Sequence, residues 1–321
     1  MDCRWQGSLK MIRLKNALSF AFFLCVTSCT QVAQVPQVSA PAPAPASTAE
    51  GPAVNAVEDE GQQVARHLNE RYADTRSDCG KPSQPAFLCS GVMIRATVDQ
   101  SLTHVWDNSA DAIKRGGVSF SYLRADSKYS KFAYGRTNGY VMKSYFYATG
   151  KLRPEVLCFF PIDANTNNRD NRGCGAYPGY FGSNLCYLSG VNTAAQWWAR
   201  YNSSNNNRRS RQCGFDVSDG RDTLAAPAFM AGIGGMKLAG SESFATQNEL
   251  VLATWANGLG AQLPLEAFFY LSGSATGLAS AQQNQRDLII TDNVFIPVIK
   301  ITLPRSPAAS VKFEYAAGDQ S

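Results

Sequence analysis

Apolar positions follow two rhythms along the chain. From Gln62 to Tyr72, the residues Val64, Leu68 and Tyr72 recur at helical spacing and predict an amphipathic helix. Gly91 to Thr97 is an apolar run with one charge, Arg95, set into it, and it reads as a strand. Asp107 to Arg115 predicts a short helix, opened by Asp107, Asn108 or Ser109 as its cap and ended by Gly116-Gly117. In Val118 to Leu123, which reads as a strand after the double glycine, the two serines Ser119 and Ser121 alternate. Further strands are expected at Leu157–Phe160, Asn248–Leu252, Glu266–Leu271 and Val294–Leu303, the last with Pro297 marking an edge or a bulge. Thr193 to Tyr201 reads as a helix carrying Trp197-Trp198, and the glycines of Gly232 to Gly240 read as turns. Tyr129 to Tyr147, broken by Gly135 and Gly139, reads as turns between short strands or loops. Strands dispersed among a few helices, with no regular βαβ rhythm, predict an α+β fold with mostly antiparallel sheets.

The N-terminal region stands apart from these rhythms. Residues 1–29 combine the basic segment Met11-Ile12-Arg13-Leu14-Lys15 with a short apolar core from Ala17 to Val26. Val26-Thr27-Ser28-Cys29 fits a lipobox, and the apolar core is too short to span a bilayer comfortably, so a cleaved lipoprotein signal is expected. The chain would then be exported and anchored to a bacterial outer membrane through lipid on Cys29. Cleavage farther on, after Val38-Ser39-Ala40, would instead give a secreted protein. Met11 is an alternative start. Residues 30–61, rich in Ala, Pro, Val, Gln and Ser, predict an extended tether, and residues 62–321 one catalytic domain.

Charge then narrows the partners. Arg4, Lys10, Arg13 and Lys15 against Asp2 give residues 1–28 a net +3, which leaves only +2 of the chain's +5 (5 − 3) for the rest. That balance does not point to nucleic acid. Arg208, Arg209 and Arg211 in the polar stretch Asn202–Arg211 read as a solvated face.

The remaining domain holds six cysteines: Cys79, Cys89, Cys158, Cys174, Cys186 and Cys213. An even number in an exported protein predicts three disulfides. Proximity favours Cys79–Cys89, Cys174–Cys186 and Cys158–Cys213. Zinc fits poorly, because no C-x-x-C occurs and the histidines are His67 and His104. Residues 163–190, rich in Asn, Gly and Cys, then read as a stapled loop region.

Candidate chemistry is limited by the same scarcity of histidine. A Ser-His-Asp or Cys-His mechanism would need His67 or His104, and neither lies in a nucleophile motif. No P-loop, G-x-G-x-x-G or H-E-x-x-H is present. What remains is Gln247-Asn248-Glu249 running into Leu250-Val251-Leu252, where strand alternation aims Gln247 and Glu249 from one side. Arg95 precedes Ser119 by 24 residues, room for one helix between two strands. Ser121 precedes Gln247 by 126 residues, a stretch that holds four of the six cysteines.

An arginine in a strand, a Ser-x-Ser on a strand and a Gln-x-Glu leading into a strand, in that order, resemble the R-S-E class of ADP-ribosyltransferase folds. The segments Pro85–Gly91, Gly117–Arg124 and Gln247–Leu250 look like halovibrin-type proteins, exported proteins associated with NAD glycohydrolase and ADP-ribosyltransferase activity. The resemblance covers roughly residues 62–315. It implies a split sandwich of mostly antiparallel sheets, with NAD as substrate and no further cofactor or metal. Arg95 would bind the NAD phosphates or ribose, which suits a fork-shaped guanidinium. Ser119 would brace the nicotinamide ribose, with Ser121 supporting the strand. Glu249 would bind the ribose 2′-hydroxyl and stabilise an oxocarbenium-like transition state. Gln247 would orient the acceptor, water or a protein side chain, and Tyr122 or Tyr134 would stack on nicotinamide. The competing reading is a non-enzymatic, disulfide-stapled surface lipoprotein that uses the aromatic middle, Tyr129 to Trp198, to bind a glycan or a protein.

The leader carries its own test. With Cys29 lipidated, globomycin makes the precursor accumulate and Cys29→Ala releases the protein from membranes. Unchanged processing of Cys29→Ala would place cleavage downstream.

Overall fold

The structure, a computed structural model, describes residues 54–99, 110–144, 155–167, 169, 173–177, 184–203, 212–218, 224–253 and 264–319. The leader, Cys29, most of the tether and the Arg208–Arg211 cluster lie outside them. Residues 50–321 form one compact unit. Its strands are β1 (Val92–Thr97), β2 (Gly117–Leu123), β3 (Asn138–Met142), β4 (Val156–Phe160), β5 (Phe215–Asp216), β6 (Glu249–Ala253), β7 (Leu265–Leu271), β8 (Val298–Thr302) and β9 (Lys312–Tyr315). They join in the order β5-β4-β6-β2-β1-β3-β7-β8-β9, and the α-helices among the described residues include α2 (Ala110–Arg115), where a short helix is expected, and α5 (Ser241–Ala245). Among the described strands, only the neighbours β7 and β8 run parallel. The architecture is therefore α+β with a mostly antiparallel nine-stranded sheet, as the strand pattern predicts.

Alternation along the strands sorts the core into layers. Met93, Phe120, Tyr122, Phe159, Leu250 and Phe268 face one side, where they meet Trp197 of α3 (Ala194–Asn202), Phe229 of α4 (Ala225–Ala239) and Leu288 of α6 (Ala275–Asp292). Val92, Ile94, Val141, Phe269 and Ile299 face the other side, beneath Leu68 and Tyr72 of α1 (Val54–Ala73). Farther along the chain's sheet, Leu157, Phe160 and Val251 make a third, smaller cluster with Ala164. Fully burying one such side chain contributes about 1.5–3 kcal/mol, so these layers fix which face each strand presents.

The sheet changes partners at β2. Its C-terminal half, Ser121 to Leu123, pairs with Val92 to Ile94 of β1. Its N-terminal half, Gly117 to Phe120, pairs instead with Leu250 to Ala253 of β6. Beyond Ile94 and Ser121 the ladder between β1 and β2 stops. The Arg95 side chain takes up the separation there, its Nη1 donating to the Ser119 carbonyl at 2.8 Å.

Four expectations need correcting. The first helix begins at Val54, eight residues ahead of Gln62, inside the stretch whose composition suggests tether. Gly232 to Gly240 do not make turns: they belong to α4 and its C-terminal cap. Glycine is used in this helix for close packing, since a Cβ on Gly232 would lie 2.4 Å from the Phe159 ring and one on Gly235 3.0 Å from Trp197. Pro297 precedes β8 rather than interrupting it, and its carbonyl accepts from Phe268. The 18-residue α6 was not expected, because its apolar stripe is weak and its inner face is polar, with Asn284 and Gln285 buried.

The disulfides are Cys79–Cys89, Cys158–Cys174 and Cys186–Cys213. The first agrees with the pairing by proximity; Cys174–Cys186 and Cys158–Cys213 do not form. Cys158 lies on β4, and the loop that follows doubles back over that strand, so Cys174 meets it before Cys186 is reached. Closing a loop of 16 residues contributes about 3 kcal/mol in the chain-entropy account. Peptide mapping of the non-reduced protein should recover these three cross-links. A Cys174–Cys186 peptide would contradict these pairings.

Candidate functional site

A cavity of about 180 Å³ opens where β1 and β2 part. Arg95, Ser119, Ser121, Gln247 and Glu249 all line it. Five of the six residues expected at the site are thus brought together from β1, β2 and the start of β6. Tyr122 is the exception. Strand alternation turns it to the opposite face, where it is fully buried against Phe159 and Phe229 and its hydroxyl donates to the Ser90 carbonyl at 3.2 Å. Burial raises its phenol above the ordinary value. Tyr122 is a core residue and cannot stack on a ligand in the cavity. Tyr134 does line it and is 86% exposed, so it is the tyrosine available to a ring.

Glu249 sits at the cavity wall with 1% of its surface exposed. A carboxylate so far from water needs compensating donors, and it has them on both oxygens. Oε2 accepts the backbone N–H of Ala164 at 3.0 Å. Oε1 accepts the Ser119 hydroxyl and the Arg169 guanidinium, each at 2.5 Å. These are short, charge-assisted contacts of the strong kind.

Gln247 is fixed as firmly. Its Oε1 accepts from the Ala133 N–H at 2.9 Å and from the Ser121 hydroxyl at 3.2 Å. A backbone N–H can only donate, so the amide orientation is settled and Nε2 is the end left for a ligand. Asn248, between the two, points the other way and holds β2 through both Tyr122 N and Tyr122 O, at 2.8 Å each. Three consecutive side chains therefore divide the labour: Gln247 and Glu249 serve the cavity, and Asn248 locks the strand pair behind it.

Four arginines line the same space: Arg95, Arg115, Arg136 and Arg169. Asp163 and Glu249 are the acidic groups among the lining residues. Arg136 donates from Nη1 to the Ala96 carbonyl at 2.9 Å and lies 5.4 Å from the Tyr134 ring centre. Its Nε is buried with no hydrogen-bond partner among the described residues. Burial lowers this guanidinium's pKa, and the nearby Arg95 charge lowers it further. Crowded like charges facing one cavity suit an anionic ligand that relieves them.

Arg169, Arg136 and Arg115 were not anticipated. Arg169 lies in the Asn-, Gly- and Cys-rich stretch read as loop, and nothing local distinguishes it from Arg172 three residues on. Its position is set by the Cys158–Cys174 staple and by its backbone N–H, which donates to the Arg115 carbonyl at 2.7 Å. Tyr134-Gly135-Arg136 offers a weak signal in hindsight: Tyr134 holds a left-handed conformation with φ of 57°, uncommon for a bulky exposed residue.

Compared with known protein families and with curated proteins, the chain matches none.

Proposed function

We propose that this cavity cleaves the bond between nicotinamide and ribose in NAD, with water as the acceptor, on an ADP-ribosyltransferase-like split sandwich. The observation that carries the reading is a buried, donor-clamped carboxylate, Glu249, facing a space lined by four guanidinium groups. The reaction asks for little else. The C1′–N bond breaks with its electron pair going to the nicotinamide ring nitrogen, which was formally cationic, so the leaving group needs no proton. Positive charge develops on the ribose, where a carboxylate stabilises it. Water then adds at C1′ and gives up one proton to solvent, leaving ADP-ribose.

In this reading Glu249 also accepts the ribose 2′-hydroxyl on Oε2, where the Ala164 N–H leaves one lone pair open, and Ser119 fixes the carboxylate through Oε1. Arg95 and Arg136 take the diphosphate, and Tyr134 stacks on a ring. Gln247 positions the acceptor through its free Nε2 end. Pockets for drug-sized ligands usually run to about 300–1,000 Å³, more than the roughly 180 Å³ here. The nicotinamide ribose therefore occupies the cavity, and the adenosine half extends past Arg136 and Tyr134, which also border a neighbouring hollow with Val98 and Asp99.

The assay is nicotinamide release from NAD by the purified protein, beside labelling of a cell lysate with tagged NAD. Glu249→Gln should lose release by at least about a hundred-fold, because its charge serves the bond-breaking step. Gln247→Ala should slow hydrolysis only a few-fold, and no lysate protein should be labelled. Labelled protein that disappears in Gln247→Ala would identify a transferase. Full release by Glu249→Gln, or none by a folded wild type, would favour the binding-protein reading.

A further inference from the structure

We infer that Arg169 is the positioning residue for Glu249, not a clamp for the substrate's phosphates; this rests on the proposed cleavage at the nicotinamide–ribose bond. Four arginines line the cavity, and the hydrogen bonds of three of them, Arg95, Arg136 and Arg169, separate into two kinds. Among the described residues, Arg95 and Arg136 each give one hydrogen bond to the protein, both to a backbone carbonyl from Nη1. Arg169 spends all three of its nitrogens on the protein. Nε donates to Thr166 Oγ1 at 3.1 Å, and Nη1 to the Gly117 carbonyl at 3.1 Å. Nη2 meets Glu249 Oε1 at 2.5 Å, Thr166 Oγ1 at 2.8 Å, the Thr166 carbonyl at 2.9 Å and Ser119 Oγ at 3.2 Å. A guanidinium has five N–H donors in a fixed plane, and here Nε, Nη2 and one N–H of Nη1 are turned toward protein acceptors.

The route of the side chain is built as carefully as its end. Arg169 is 2% exposed and passes between two glycines. A Cβ on Gly117 would lie 2.8 Å from Arg169 Cδ, and one on Gly175 would lie 2.8 Å from its Cγ and 2.2 Å from the Asn167 carbonyl. Gly175 also has φ of +68°, which other residues adopt with strain. The loop is pinned beside it by the Asn167–Ala176 pair of backbone hydrogen bonds, at 2.9 and 2.8 Å, and by Cys158–Cys174. The insertion thus threads one guanidinium under β2 to the carboxylate on β6.

The consequence is chemical. A carboxylate taken out of water stays ionised only with a cation or several donors against it. Burial lowers the Arg169 pKa, and the Glu249 charge acts against that shift, as expected for mutual support within one dry pair. The guanidinium and the Ser119 hydroxyl share Oε1 and the Ala164 N–H takes one site on Oε2, so together they set the direction in which Glu249 presents its remaining Oε2 lone pair to the ribose. A misplacement of about 1 Å at such a group can cost a hundred-fold in rate.

Steady-state nicotinamide release by Arg169→Ala, in the full chain, tests this. We expect kcat to fall about a hundred-fold with KM for NAD within three-fold of wild type, partial recovery with added guanidinium at non-denaturing concentration, and none with urea, which matches it in shape but lacks the charge. A raised KM with kcat retained would make Arg169 a phosphate ligand and overturn the inference. Recovery by urea as good as by guanidinium would reduce its role to filling space and overturn it too. Should Arg169→Ala not fold, Arg169→Lys decides: it keeps the charge but not the fork, so kcat should drop at least ten-fold at unchanged KM, and wild-type kcat would contradict the inference. Glu249→Gln run alongside separates the two failures. If it still releases nicotinamide, the reading of the cavity falls; if it does not while Arg169→Ala does, only the role of Arg169 falls.

Discussion

The ion pair between Glu249 and Arg169 is the constraint on which the rest of the site depends. Both side chains are almost completely removed from water, and a buried pair is tolerated only when good geometry and further hydrogen bonds offset the desolvation of both ions. Here those further bonds come from elements far apart in the chain: Ser119 on β2, Ala164 early in the loop that follows β4, Thr166 beside it and Gly117 at the start of β2. Breaking any one of these placements would leave a buried charge under-compensated. The strand order β4-β6-β2 and the fold of the insertion over it are therefore tied to a single carboxylate.

The partner change along β2 is the second condition. A continuous ladder between β1 and β2 would close the space in which Arg95, Ser119 and Glu249 meet. By pairing with β1 through one half and β6 through the other, β2 leaves a cavity lined by strands and not by loops alone. Asn248 makes this affordable in structural terms, since its amide reproduces two missing ladder bonds to Tyr122. The side chains facing the cavity are then held by a rigid frame, which suits chemistry that depends on fixed charges.

Much of this was legible in the sequence, and the reasons are local. Period-two alternation in Val118–Leu123 and in Gln247–Leu252 correctly separates Ser119, Ser121, Gln247 and Glu249 from the apolar face. The same rule, applied strictly, would have placed Tyr122 in the core beside Phe120. What could not be read was anything set by distant closure. Arg169 acquires its place from a disulfide whose partner cannot be chosen by spacing, and the path of the insertion decided against Cys174–Cys186. The glycines of α4 resemble turn residues until Phe159 and Trp197 are known to lie against them. The unusually long separation between Ser121 and Gln247, by contrast, has a physical account: the intervening insertion supplies the cation that the carboxylate requires.

The central claim is that one NAD molecule lies with its nicotinamide ribose against Glu249 and its diphosphate against Arg95 and Arg136. A crystal structure of the Glu249→Gln protein grown with intact NAD measures this directly. The account predicts the ribose 2′-hydroxyl within hydrogen-bond distance of the residue 249 side chain, the diphosphate on Arg95 and Arg136, and the Arg169 guanidinium still directed at Ser119 and Thr166. NAD bound at another surface, or a cavity that stays empty at millimolar NAD, would contradict it.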